Sequence, residues 1–317
     1  NKHHTPAFCA RYLVKKLNDR SGLFNKKSLN PILAEAIFPQ KTREKWVEYF
    51  NSQDYDVILT TASLSLRLAM IAPRLKAATI GWQHNCYDGY LHVKPVVFWQ
   101  QENLLQQYLP NLDRYIVLSD YDKRDYMEKL GIDCEVKINP RSFVSEKKCD
   151  VKSKRFLMAT RFVYAKGLDL MMESFEEFCK EDSEWELDII GDGDLFDQIR
   201  ADAKKRHLEK RVHFVGYTNE PEKYYLNSSV FLLPSRWEGW PMVIMEAFEF
   251  GLPVIAYHMG AMDLIIDDGK TGFLPEAFDP HKFAQAMLKL AHDEELRARM
   301  SANAIAKSDD FSIDKAV

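Results

Sequence analysis

Two glutamates, Glu238 and Glu246, flank a Gly-Trp-Pro turn and a short apolar segment in SRWEGWPMVIMEAFEFGLPVIA (235–256). Two cations, Arg161 and Lys166, stand close together in ATRFVYAKGLDLMMESF, Arg161 closing an apolar run and Lys166 preceding Gly167 at the start of an amphipathic helix. Cations at a strand end and beside the partial positive charge of a helix N-terminus suit an anion, above all a diphosphate. Between them in the chain, IIGDGDLFD (189–197) supplies Gly191 and Gly193, which would let backbone approach a ligand closely.

These residues need elements to hold them. VFLLPS (230–235) is a continuous apolar run bounded by turn residues, as a strand buried on both faces of a parallel sheet requires. Pro241 fits the first helical position, because its missing N–H would have no intrahelical partner there. The helix is then expected to run to about Phe250, with Gly251 in a left-handed C′ conformation and Pro253 forbidding continuation before the strand PVIAY. Glu238 thus falls in the loop at the carboxyl end of a strand and Glu246 about two turns along the helix. In an open α/β sheet, ligands bind outside those strand ends.

The same alternation occurs twice. YDVILTT, ATIGWQH, RYIVLS and CEVKINP read as strands in the first half, and RFLMAT, WELDIIG, VHFVG, VFLLPS and PVIAY in the second, with helical patterns between them. Ser119 is expected to cap a helix ended by Gly131, with Asp122 at its third position. The polar stretch Ser142 to Lys154 reads as a linker. Two doubly wound α/β domains in series are the simplest architecture, the first covering 1–148 and the second 149–305.

Composition narrows the class. A chain of 317 residues that is 46% hydrophobic can bury two cores. It has no run of eighteen apolar residues and no signal-peptide pattern. The five cysteines never form a C-x-x-C pair, which points to a reducing cytoplasm and away from a disulfide frame or zinc site. Residues 1–150 carry 22 Lys+Arg against 17 Asp+Glu, and residues 151–317 carry 21 against 30. A first half at +5 would allow peripheral contact with an anionic inner-membrane surface. Nucleic acid would call for a stronger basic stripe. Asp192-Gly193-Asp194 and Asp120-Tyr121-Asp122 imitate a metal-binding D-x-D, but one lies inside a glycine turn and the other in a helix start, so no metal is expected.

The ordered motifs R-x4-K-G-x-D, IIGDG, VHFVG, LPSRWEGWPMVIMEA with its E-x7-E spacing, GLPVIA and DDGKTGFL resemble glycosyltransferase family 4, across about Arg155 to His292. The resemblance implies the GT-B fold, two Rossmann-like domains facing a cleft, and a retaining enzyme that needs no cofactor. Such an enzyme moves a sugar from a nucleoside diphosphate to a glycan or lipid-linked acceptor. It implies that Glu238 reaches hydroxyls of the donor sugar, that Glu246 binds the ribose, and that Arg161 and Lys166 neutralise the diphosphate. Val215, Gly216 and Tyr217 would border the base. Backbone N–H groups of Gly239, Trp240 and Met242 would approach phosphate, Pro241 having none, with Val243 beside them. His84, in GWQHNCYDGY, resembles a histidine near the donor sugar.

Relatives open with a strand, a glycine loop and a helix, for which NKHHTPAFCARYLVKKLNDRSG has no recognisable counterpart. They also close with a helix crossing back to the first domain, which 306–317 would begin. Two alternatives use the same architecture: a subunit that binds glycan or a partner without catalysis, and a nucleotide-sugar epimerase.

Overall fold

The computed structural model describes residues 5–93 and 97–316; residues 1–4, 94–96 and 317, including the ends of the expected domains, lie outside it. The chain divides into two compact units, Asn1–Ile138 and Asn139–Val317.

The first unit begins with helices α1 (Pro6–Ser21), α2 (Asn30–Ile37) and α3 (Gln40–Ser52). Next comes a parallel sheet of β1 (Val57–Thr61), β2 (Ala78–Trp82), β3 (Arg114–Val117) and β4 (Glu135–Val136), paired in chain order. Helices α4 (Ser63–Ile71), α5 (Tyr87–Leu91), α6 (Glu102–Tyr108) and α7 (Asp120–Leu130) connect them. The predicted cap is present. Ser119 Oγ accepts from the Asp122 N–H at 3.1 Å, and Gly131 ends α7 at φ 68°.

Asp122 is buried. Its carboxylate accepts the Ser119 hydroxyl and the Tyr87 N–H, both at 2.7 Å, so the second D-x-D is a structural knot between α5 and α7. Burial pushes the Asp122 carboxyl up to about 6 despite those hydrogen bonds. A folded-state value above the unfolded ~3.9 means that the native chain binds the proton more tightly. Its stabilising contribution is therefore full below about pH 4 and lost as pH rises through about 6. Asp122→Asn is expected to flatten the dependence of the thermal midpoint on pH across that window. An unchanged slope would count against a raised Asp122.

The second unit holds a six-stranded parallel sheet ordered β10-β9-β8-β5-β6-β7. Its strands are β5 (Arg155–Ala159), β6 (Glu186–Ile190), β7 (Val212–Gly216), β8 (Val230–Leu233), β9 (Val254–Ala256) and β10 (Gly272–Phe273). The helices are α8 (Leu168–Phe178), α9 (Phe196–Lys205), α10 (Glu222–Leu226), α11 (Met242–Glu249), α12 (Met262–Ile265), α13 (Pro280–His292), α14 (Glu294–Ser308) and α15 (Ile313–Ala316). All four residues of β8 are buried, as its unbroken apolar run requires. The chain winds outward from β5 to β7, then returns to the other side of β5 with β8. The reversal point therefore lies between β5 and β8, where open α/β sheets bind ligands.

Three details depart from expectation. Pro241 caps α11 with extended ψ (103°) instead of occupying its first turn, so the helix starts at Met242. β10 is a two-residue strand within the stretch DDGKTGFL, too short to register as a pattern. The polar stretch after Asn139 packs on the second unit, which places the division ten residues ahead of the expected 148/149. Glu249, almost wholly buried on α11, accepts from Arg141 at 3.0 Å and from the Ser145 N–H at 2.9 Å, and pairs with Lys148. A buried carboxylate demands such partners.

Candidate active site

The loops after β5 and β8 meet at the reversal point. Gly167 makes this approach possible: at φ 62°, its missing Cβ would lie 1.9 Å from the Pro234 carbonyl oxygen at the end of β8. Arg236 ties the loops from the other side. It makes two hydrogen bonds to the Asp169 carboxylate, at 2.8 and 2.6 Å, and its guanidinium lies 4.0 Å from the Tyr164 ring centroid. Although burial opposes ionisation, the Arg236 guanidinium holds the Asp169 carboxyl below its usual range. The turn carrying Lys166 is thereby held against the turn carrying Glu238.

Within that junction Lys166 Nζ donates to Glu238 Oε1 at 2.6 Å, and the Ser235 hydroxyl donates to the same oxygen at 2.6 Å. The pair is largely enclosed, with side-chain exposures of 20% and 9%. An ammonium has three donors, so Lys166 keeps two for an incoming group. Arg161 differs: its side chain is exposed, with no hydrogen-bond or ion-pair partner among the described residues.

A cavity of about 550 Å³ opens here, lined by Arg161, Lys166, Gly191, Tyr217 and Val243 among others. Gly191 is required by another close approach, its missing Cβ falling 1.8 Å from the Thr160 carbonyl oxygen at φ 124°. Gly193 lies on the same turn, with Val215 and Gly216 at the end of β7. A second cavity of about 850 Å³ is lined by Glu246, Tyr225 and Phe250, and shares Pro221 with the first.

Glu246 is oriented by a residue that the sequence does not flag. The Tyr225 hydroxyl donates to Glu246 Oε2 at 2.9 Å. The Tyr225 ring stacks with Phe231 and with Phe250, at centroid distances of 5.8 and 5.1 Å. Burial and the adjacent carboxylate hold this phenol protonated, well above its ordinary value, so it stays a donor.

Trp240, Gly239, Pro241, Met242 and His84 line neither cavity. Trp240 is buried against Phe311. Gly239, Pro241 and Met242 lead from the Glu238 turn into α11. His84 belongs to the first unit, just past β2, where its ring stacks on Trp82 with centroids 5.1 Å apart. Burial lowers its pKa and favours the neutral imidazole. Asp192 uses its carboxylate on the Gly193 N–H at 2.8 Å. Among the described residues no three His, Cys, Asp or Glu side chains converge as a metal site would require, and no helix is long and apolar enough to cross a membrane.

Residues 142–307 match the family model for glycosyl transferases group 1. An uncharacterized glycosyltransferase of Haemophilus influenzae is 28% identical over 268 residues, 82% of this chain and 73% of that protein. A poly(glycerol-phosphate) alpha-glucosyltransferase of Bacillus subtilis is 29% identical over 158 residues, 49% of this chain but 23% of its own length. Among solved structures, S. aureus TarM in complex with fondaparinux, alpha-GlcNAc-glycerol and UDP superposes with a TM-score of 0.76 at 21% identity. That match covers 87% of this chain and 57% of TarM. At such identity the likeness establishes the fold, GT-B, with two parallel-sheet domains.

Proposed function

Because the chain belongs to the group 1 glycosyl transferases, we propose that it is a retaining enzyme that transfers a sugar from a nucleoside diphosphate to a glycan or lipid-linked acceptor, in surface polysaccharide or glycoconjugate synthesis. The observation carrying this reading is the junction of two strand-end loops at the sheet reversal, with Arg161 and Lys166 on one cavity and Glu238 bound to Lys166. Arg161 and Lys166 neutralise the departing diphosphate, a task that a metal ion performs in other architectures. Glu238 holds hydroxyls of the donor sugar, and the acceptor attacks from the face that the diphosphate leaves. Glu246 accepts from the ribose hydroxyls while Tyr225 fixes its second oxygen. The relatives lend support: TarM is described with UDP bound, and the Bacillus enzyme acts on poly(glycerol-phosphate).

Calorimetric titration of UDP and GDP tests the reading. Glu246→Ala should weaken the preferred nucleotide by about 1–3 kcal/mol, the worth of a charge-assisted hydrogen bond. Tyr225→Phe should weaken it less and reduce the preference for a ribose over a 2′-deoxyribose nucleotide, since the carboxylate loses its orientation. If Glu246→Ala leaves affinity unchanged, the ribose role is wrong.

A further inference from the structure

The first unit contains a cavity of about 240 Å³ between α1, α2, α4 and the segment before α6. Its floor is apolar, formed by Leu33, Ile37, Leu66 and Phe98, and its polar wall carries Lys15 and Arg67. Neither cation has an ion-pair or hydrogen-bond partner among the described residues, and the Arg67 Nε is buried with nothing to accept from it. Arg11, one turn before Lys15 on α1, lies outside the lining, and Asp19, one turn after, is the only carboxylate on the wall among the described residues. Burial and the two guanidiniums lower the Lys15 pKa, as expected where like charges crowd.

Such an arrangement is costly unless something else neutralises it. A buried guanidinium N–H without an acceptor forfeits its hydration, and like charges held together repel. Lys15 and Arg67 outnumber Asp19 among the described residues on the wall, an excess of positive charge that suits an anion such as a phosphate monoester. Arg provides a planar fork and Lys a mobile point charge, the pair that grips phosphate oxygens. The volume falls below the ~300 Å³ at which pockets for drug-sized ligands begin, so a nucleoside diphosphate is too large. An apolar floor beneath a cationic wall suits a phosphate on a hydrocarbon stem.

We propose that this cavity binds a phosphate group carried on an apolar stem, Arg67 and Lys15 holding the oxygens and the floor covering the stem. The proposal does not depend on the transferase reading above.

The test is calorimetry on the full chain with hexyl phosphate, inorganic phosphate and hexanol, using wild type, Arg67→Gln and Lys15→Gln, with the preferred nucleoside diphosphate titrated in parallel. Hexyl phosphate should bind wild type, and each variant should lose on the order of tenfold in affinity, the value of one charge-assisted hydrogen bond. Hexanol should not bind measurably. The thermal midpoint of Arg67→Gln should hold or rise, because no ion pair is lost and repulsion is relieved. Equal hexyl phosphate affinity in all three proteins, or a steep fall in the Arg67→Gln midpoint, overturns the site. Inorganic phosphate binding as tightly as hexyl phosphate would assign the cavity to free phosphate and overturn the apolar stem. Nucleoside diphosphate affinity should be the same in all three proteins. If no nucleotide binds while hexyl phosphate does, the donor reading fails and this site stands.

Discussion

Glu238→Gln should reduce sugar transfer by about 10²–10³-fold, the usual cost of removing one group aimed at a transition state, while UDP or GDP affinity holds or improves. The carboxylate sits where the loops after β5 and β8 meet, gripped by Lys166 and Ser235 through one oxygen. Its other oxygen makes no hydrogen bond to a described residue and, on the proposed reading, is the atom that takes a donor-sugar hydroxyl. Gln keeps the shape but removes the charge. The variant then lacks the anion that competes with diphosphate for Lys166, so the ammonium turns more readily to the nucleotide. Transfer rate and nucleotide affinity therefore move apart, which a general loosening of the loop would not produce. A loss of nucleotide affinity of about tenfold or more would instead place Glu238 on the nucleotide and reverse the two glutamates.

Much of this site was legible in the chain because it is local. A buried parallel strand is a short apolar run, and the residues directly after it lie at the sheet edge where ligands bind. Arg161 after β5, Gly191 after β6 and Glu238 after β8 were singled out in that way, and Tyr217 after β7 through the family resemblance. Tyr225 was not, because its link to Glu246 spans 21 residues and depends on a hydrogen bond between two different helices, α10 and α11. Ser235 was nearer to detection, being three residues before Glu238 and directly after β8. The pairing of Lys166 with Glu238 spans 72 residues and exists only because β5 and β8 are neighbours across the reversal. Strand order is a tertiary choice that periodicity does not encode. Residues 142–154 read as a linker for a related reason: polarity suggested solvent, whereas the chain there satisfies the buried Glu249 carboxylate, which sits at an otherwise apolar helix face.

The same geometry makes the two cations unequal. If Arg161 and Lys166 clasp the diphosphate, nucleoside diphosphate should bind far better than the monophosphate, and replacing both by alanine should erase most of that preference. Each charged hydrogen bond is worth about 1.5–3 kcal/mol, or ~10–100-fold in Kd. Arg161 is exposed and has no partner among the described residues, so Arg161→Ala removes attraction and little else. Lys166→Ala also strips Glu238 of its counter-ion in a largely enclosed site, leaving a carboxylate that repels the phosphates. Lys166→Ala should accordingly lose more diphosphate affinity than Arg161→Ala and also lower the thermal midpoint, which Arg161→Ala should not. Lys166→Ala combined with Glu238→Gln should recover part of both losses, because the unpaired charge is gone. UDP and GDP should suffer alike, since the clasp ignores the base. Calorimetry of mono- and diphosphates on the single and double variants reads all of these affinities, and thermal melts of the same proteins read the midpoints. A diphosphate preference that survives in Arg161→Ala/Lys166→Ala would put the phosphate site elsewhere.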